Sequence, residues 1–187
     1  MPTTQTSNFA HWSLDAIRDE GASLSWLEEY RFEWAKTTAL ALEQVLQGRT
    51  IILITDEKRK WLENYIITSL NASTIERPLI PIISIDHIYP HYDNVSGGEM
   101  IDTVDDIISL SYKEDFFFWY IGKGNDKRAD IAKRKGDSYF WMFDEEFNNA
   151  FTLKSYDPIL DIKLLQLYRL FNSSLNACMF GEVDASS

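Results

Sequence analysis

Apolar and polar positions along this chain fall into blocks of two kinds, some spaced for helices and some continuous. Residues 1–8, rich in Thr, Ser and Gln, predict a flexible arm. A short helix follows, with Ser13 as N-cap, Ala16 and Ile17 facing inward and Gly21 as its stop. From Ser23 or Ser25 to about Gln47, Leu27, Tyr30, Trp34, Ala41 and Val45 recur mostly three, four or seven apart. That is the spacing of one buried helix face, and Gly48 ends it. Thr50–Thr55 is then short, β-branched and uninterrupted, which suits a strand covered on both faces as in a parallel sheet. A helix from about Glu57 to Leu70 places Trp61, Tyr65, Ile66 and Leu70 on one side. The second strand is Leu79–Ile85. Pro81 cannot donate to a ladder, so this strand lies at an edge or is irregular at its start.

Residues 86–98, rich in Asp, His, Pro, Tyr and Gly, predict a loop. The helix near Glu99 to Leu110 is weakened by Thr103, Val104, Ile107 and Ile108, which are β-branched. Phe116–Ile121 and Tyr139–Phe143 predict buried strands, with a short basic helix at Asn125–Lys135 between them. Asp157 and Pro158 serve as cap and first residue of a last helix that runs to about Met179. Gly181 then opens a polar tail at 182–187. Strands alternating with helices predict an α/β fold of three layers, a mainly parallel sheet flanked by helices, in one domain spanning 1–187.

Composition narrows the class of function. With 29 acidic and 18 basic residues the net charge is −11, which repels phosphate polymers and argues against direct nucleic-acid binding. The single cysteine, Cys178, cannot close an intramolecular disulfide and fits a reducing cytoplasm. The first thirty residues lack the apolar core of a secretory signal, and no run of eighteen apolar residues spans a membrane. A soluble, cytoplasmic protein is expected.

Ligands of a parallel sheet gather beyond its strand C-termini, so the loops after Thr55, Ile85, Ile121 and Phe143 matter most. After Thr55, Asp56 and Glu57 stand where a phosphate cradle needs glycines and open N–H groups; they are expected to stabilise the helix dipole instead. Neither a dinucleotide-binding nor a P-loop glycine motif occurs. Asp86, His87, His91 and Asp93 are possible zinc ligands, but Pro90 breaks the helical turn that would align the histidines, and a polar surface loop is favoured. The basic residues Lys123, Lys127, Arg128, Lys133, Arg134 and Lys135 are interleaved with Asp126 and Asp130, which favours a solvated helix face over a nucleic-acid patch. Asp144, Glu145 and Glu146 read as the acidic first turn of a helix rather than a catalytic pair. Cys178 lies in an apolar stripe without a nearby His and reads as structural. No catalytic residue, cofactor site or metal site is assigned.

The last helix is more informative. Leu164, Leu167, Tyr168, Phe171, Leu175 and Cys178 form one apolar stripe, which Ile162, Leu165 and Leu170 widen. So wide a stripe is either wholly internal or shared with another subunit, and assembly is favoured. Leu164, Leu165, Leu167, Tyr168 and Phe171 are the expected interface.

Ile17–Gly21, Trp26–Glu28, Thr55-Asp56 with Arg59–Trp61, and Glu76–Leu79 occur in one order, followed by Phe118–Lys123, Tyr139–Glu146 and above all Asp157–Phe171. In these segments the chain resembles the HobA family of bacterial replication-initiation regulators, from about residue 9 to 181. The resemblance implies an SIS/Rossmann-like fold, shared with sugar isomerase domains and DiaA, and a homotetramer. It also implies a non-enzymatic adaptor that binds the N-terminal domain of DnaA and promotes its assembly at the chromosomal origin. The alternative is an SIS-type sugar-phosphate isomerase or sensor, which Asp56-Glu57 opposes because a small, hydroxylated loop should stand there. The expected DnaA contacts are Asp15, Arg18, Asp19, Glu20 and Trp26, where charges set orientation and an aromatic ring supplies area.

Overall fold

The computed structural model describes residues 7–72, 77–90, 92 and 98–185. Its centre is a parallel sheet of β2 (Thr50–Thr55), β3 (Ile82–Ser84), β4 (Phe116–Lys123), β5 (Tyr139–Phe143) and β6 (Ala150–Leu153), in the order β3-β2-β4-β5-β6. Alternate residues of each strand point to opposite faces, so the continuous apolar runs supply two cores. Ile51, Leu53, Phe117, Trp119 and Trp141 pack under α1 (Phe9–Asp19), α2 (Arg31–Leu46), α3 (Lys60–Leu70) and α7 (Leu160–Met179). Ile52, Ile54, Phe118, Tyr120 and Phe140 pack with the other layer, formed by α4 (Ile85–Ile88), α5 (Gly98–Tyr112) and α6 (Ala129–Arg134). Trp119 lies 4.7 Å from the Phe171 ring and 5.1 Å from that of Trp141, binding the central strands to α7. The three-layer α/β expectation is met.

The helix starts differ from expectation for local reasons. Asn8, not Ser13, caps α1: its Oδ1 accepts the Ala10 N–H at 2.9 Å. Ser13 is buried inside the helix and donates to the Phe9 carbonyl. Neither Ser23 nor Ser25 begins α2. Gly21, at φ +68°, admits a turn, and the two serine hydroxyls donate back to Glu20 and Ala22 across short 3-10 segments, Gly21–Ser23 and Ser25–Leu27. Tyr30, expected inside, is exposed. In α3, which a 3-10 turn at Glu57–Arg59 precedes, Trp61 and Tyr65 face outward while Leu62, Glu63, Ile66 and Leu70 are buried.

Other corrections concern the chain ends and the edges. β3 is shorter than Leu79–Ile85 and lies at the sheet edge, with the Pro81 carbonyl accepting the Ile51 N–H. The basic helix shortens to α6, and α7 begins at Leu160 after a turn in which Asp157 accepts the Ile159 N–H and pairs with Lys163 at 2.6 Å. Asp144, Glu145 and Glu146 start no helix; Asp144 sits at φ +61° and accepts the Ser155 N–H at 2.8 Å, in the loop leading to the unexpected β6. Residues 7–8 are not a free arm, nor 183–185 a loose tail. Ser7–Asn8 (β1) pairs in parallel with Val183–Asp184 (β7), and Val183 and Ala185 are buried. The remaining arm residues 1–6 and the tail residues 186–187 lie outside the described residues.

Candidate partner-docking groove

Among the described residues, two regions stand out as places that could receive a ligand. The first is the strand-end crevice at the sheet's switch point, between β2 and β4, where strand order reverses. Paired charges of the chain itself form its floor, below an open cavity of about 540 Å³ lined by Glu57, Tyr92, Asn125, Asp126, Lys127 and Arg128. Asp56 stands at the N-cap position and Glu57 in the first turn, as the helix-dipole expectation has them, but the Asp56 carboxylate makes no capping hydrogen bond. It reaches across to accept the Lys123 N–H at 3.2 Å and pairs with Arg59 at 3.3 Å. Behind it the buried Glu63 accepts hydrogen bonds from Thr55 (2.8 Å) and Ser84 (2.5 Å). Lys60 bridges Glu63 to Asp86, and Arg128 holds Asp86 from the other side at 2.7 Å. Burial pushes the Asp86 carboxyl up, but the hydrogen bonds from Lys60 and Arg128 prevail and hold it below the usual carboxylate range. Glu63 escaped the sequence reading; its one signal is that it shares a helix face with Ile66 and Leu70, three and seven positions on.

Among the described residues, most of the expected basic set around this crevice is paired with carboxylates. Lys133 pairs with Glu145, Lys135 with Glu114 and Arg134 with Asp102. Among the described residues no group of three or more His, Cys, Asp or Glu is placed to hold a metal; His91 and Asp93 lie outside them, as does Glu76. Burial and the nearby Asp184 carboxylate push the half-buried Cys178 thiol up to about 11, which leaves it protonated and unreactive at neutral pH.

The second place is an open groove of about 600 Å³ where the end of α1 meets α3 and α7. Asp19 and Glu20 form its acidic rim, and Tyr65, Ile162, Leu165 and Arg169 lie along the other walls. Tyr65 is 43% exposed and Ile162 55%, so apolar surface here faces solvent. Gln166 braces the wall: its Nε2 donates to the Ser23 carbonyl at 2.8 Å, and its Oε1 accepts from Trp26 Nε1 at 2.9 Å.

The structure thus divides the expected contact residues. Asp19 and Glu20 line the groove, while Trp26 stands behind it, part-buried, with the Lys163 ammonium 4.5 Å from its ring centre. Asp15 is paired with His11, and Arg18 with Glu28, both at the surface outside the lining. The expected interface divides too. Leu164, Leu167, Tyr168 and Phe171 are buried in the chain's own core, because α1, α2 and α3 cover α7 as well as the sheet does. Those four are corrected from interface to core. Leu165 alone of the set remains at the groove surface.

The family model described as HobA, DNA replication regulator, matches residues 6–185. The chain belongs to the HobA family. Its sequence is 33% identical over 185 residues to the DNA replication regulator protein HobA of Helicobacter pylori, covering 94% of this chain and 98% of that one. Its fold superposes on the crystal structure of a HobA–DnaA (domain I–II) complex from Helicobacter pylori with a TM-score of 0.75, at 31% identity over 95% of this chain and 98% of that chain. A crystal structure of Helicobacter pylori HobA matches with a TM-score of 0.70, at 28% identity over 95% and 99%. For a HobA-family chain the crevice geometry disfavours the sugar-phosphate alternative, since a carboxylate repels the anion that such a site must hold.

Proposed function

We propose that this HobA-family chain is a non-enzymatic, cytoplasmic adaptor of replication initiation, a single-domain protein that assembles as a homotetramer and binds the N-terminal domain of DnaA. The observation that carries the reading is the fold and sequence likeness, over 95% of the chain, to a HobA crystallised with DnaA domains I–II. The relatives' description as replication regulators supports a non-enzymatic role, and the open groove supports docking. Its apolar walls would contribute buried area, and the acidic rim would steer the partner without competing for DNA phosphates. Joining several such sites in one assembly raises the effective concentration of each further DnaA once the first is held.

Light scattering on a sizing column tests this, with the protein alone and then with the purified DnaA N-terminal domain. A tetramer that gains up to four domains is expected; a peak unshifted by active DnaA would sink the reading. Ile162→Asp combined with Leu165→Asp locates the site. Capture should weaken at least about tenfold, roughly 1.4 kcal/mol, with the tetramer intact. Loss of the tetramer with capture retained per protomer would instead make this groove the self-interface.

A further inference from the structure

The crevice holds more hydrogen-bonding capacity than its occupant uses. Asp56 is 4% exposed and Arg59 7%. Arg59 Nη1 lies 3.4 Å from Asp56 Oδ1 and 3.3 Å from Oδ2, and the Lys123 N–H lies 3.2 Å from the same Oδ2. The guanidinium also sits 4.8 Å from the centre of the Phe143 ring, within cation–π range. Yet Arg59 Nε is buried without a partner. A buried guanidinium donor left empty is costly, and a carboxylate approaching Nη1 alone cannot fill it. Gly122 permits the close approach: a Cβ there would lie 2.7 Å from Tyr120 Oη and 2.8 Å from Asp56 Cβ.

We propose that Asp56 is a resident counter-anion: it occupies an oxyanion subsite formed by the Arg59 guanidinium and the Lys123 amide, a site whose chemistry is that of inorganic phosphate or sulfate. The site is built into the switch point of the sheet and plugged by a side chain of the same chain. The plug also fastens the end of β4 to the turn before α3. This inference stands apart from the adaptor reading, because the docking groove is lined by none of these residues.

Asp56→Ser opens the subsite. Its melting temperature and the 31P line width of inorganic phosphate are measured against the unsubstituted chain, with chloride at matched ionic strength as control. The variant should melt lower in chloride, recover in millimolar phosphate or sulfate, and bind phosphate at least about tenfold more tightly than the unsubstituted chain. Adding Arg59→Gln should erase that gain. A folded Asp56→Ser with no phosphate response beyond chloride overturns the proposal, as does equal phosphate binding by the unsubstituted chain. Should the serine variant fail to fold, Asp56→Ala supplies the reading, since it too clears the subsite and leaves Arg59 uncompensated. Its gain in melting temperature from chloride to phosphate should exceed that of the unsubstituted chain, and an equal gain overturns the proposal. Capture of the DnaA N-terminal domain should be the same for all variants, so failure of either reading is visible separately.

Discussion

The strand-end crevice and the α1–α7 groove differ in how their surfaces are satisfied. In the crevice, charged side chains answer one another: Asp56 with Arg59, Glu63 with Lys60, Asp86 with Arg128. In the groove, Ile162 and Tyr65 stand against solvent beside Asp19 and Glu20. A buried charge without a partner costs several kcal/mol, so a crevice floored with charges must supply partners from within. Exposed apolar area has the opposite logic, for it gains only when something else covers it. The fold therefore balances the charges at its strand ends from within and leaves an apolar helix face open to solvent.

The largest expected effect separates the two faces of α7. Phe171→Ala removes a fully buried ring beside Trp119 and Tyr139 and should cost about 3–5 kcal/mol in urea unfolding. Because that ring belongs to the chain's own core, its Ala variant should lose the same stability at every protein concentration. Ile162→Ala, on the outer face, should stay within about 0.5 kcal/mol of the unsubstituted protomer. A Phe171→Ala loss that shrinks as the protein is concentrated would return the ring to a subunit interface.

The contrast also explains what the sequence could reveal. Strands such as Thr50–Thr55 and Tyr139–Phe143 were legible because both faces are buried and every position is apolar. β6 was not, since four residues after an irregular acidic loop carry too little pattern. The β1–β7 pairing was invisible because two-residue strands depend on tertiary placement alone. The width of the apolar stripe on α7 was read correctly, but its cover was misjudged: periodicity counts buried positions and cannot say whether the same chain or another buries them. The acidic rim at Asp19 and Glu20 was singled out from charge, whereas Tyr65 was placed inside, and only the packing of α3 against α7 shows that it lines a groove. The chemistry of the crevice was half legible. Asp56 stood out as a carboxylate where an anion should bind, but its partners Arg59 and Lys123 meet it only through the fold, the second from 67 positions away.

A smaller effect tests whether the groove's rim steers the partner. Asp19→Lys with Glu20→Lys reverses the charge beside an apolar wall while leaving that wall intact. Association with the DnaA N-terminal domain, followed by stopped flow, should slow by about three- to tenfold at low salt, with little change in dissociation. The difference should fade toward 1 M salt, where screening shortens to about 3 Å. A slower association that persists at high salt would mean the pair makes direct contacts. No change at any salt would place the partner elsewhere.

The smallest expected effect reads the crevice through acid. Asp86 has its folded carboxyl pKa held below the ordinary range by Lys60 and Arg128 against the opposing push of burial. A group with a depressed folded value binds its proton more weakly in the native state than in the unfolded chain, so it stabilises the fold wherever it is ionised. That contribution is complete above the ordinary carboxylate value of about 4 and disappears as pH falls through the lower folded value. Asp86→Asn should therefore be less stable than the unsubstituted chain at pH 6 to 7, and the gap should close only below about pH 4. Because Asp86 is partly exposed, solvent screening keeps the gap to about 1 kcal/mol or less. Urea unfolding at matched ionic strength across this range measures it directly. A gap that is flat with pH would mean that Asp86 acts through the shape of its hydrogen bonds alone. The ordering of the crevice floor would then rest on Asp56 and Glu63, with the Lys60–Asp86–Arg128 bridge contributing geometry and no net charge stabilisation.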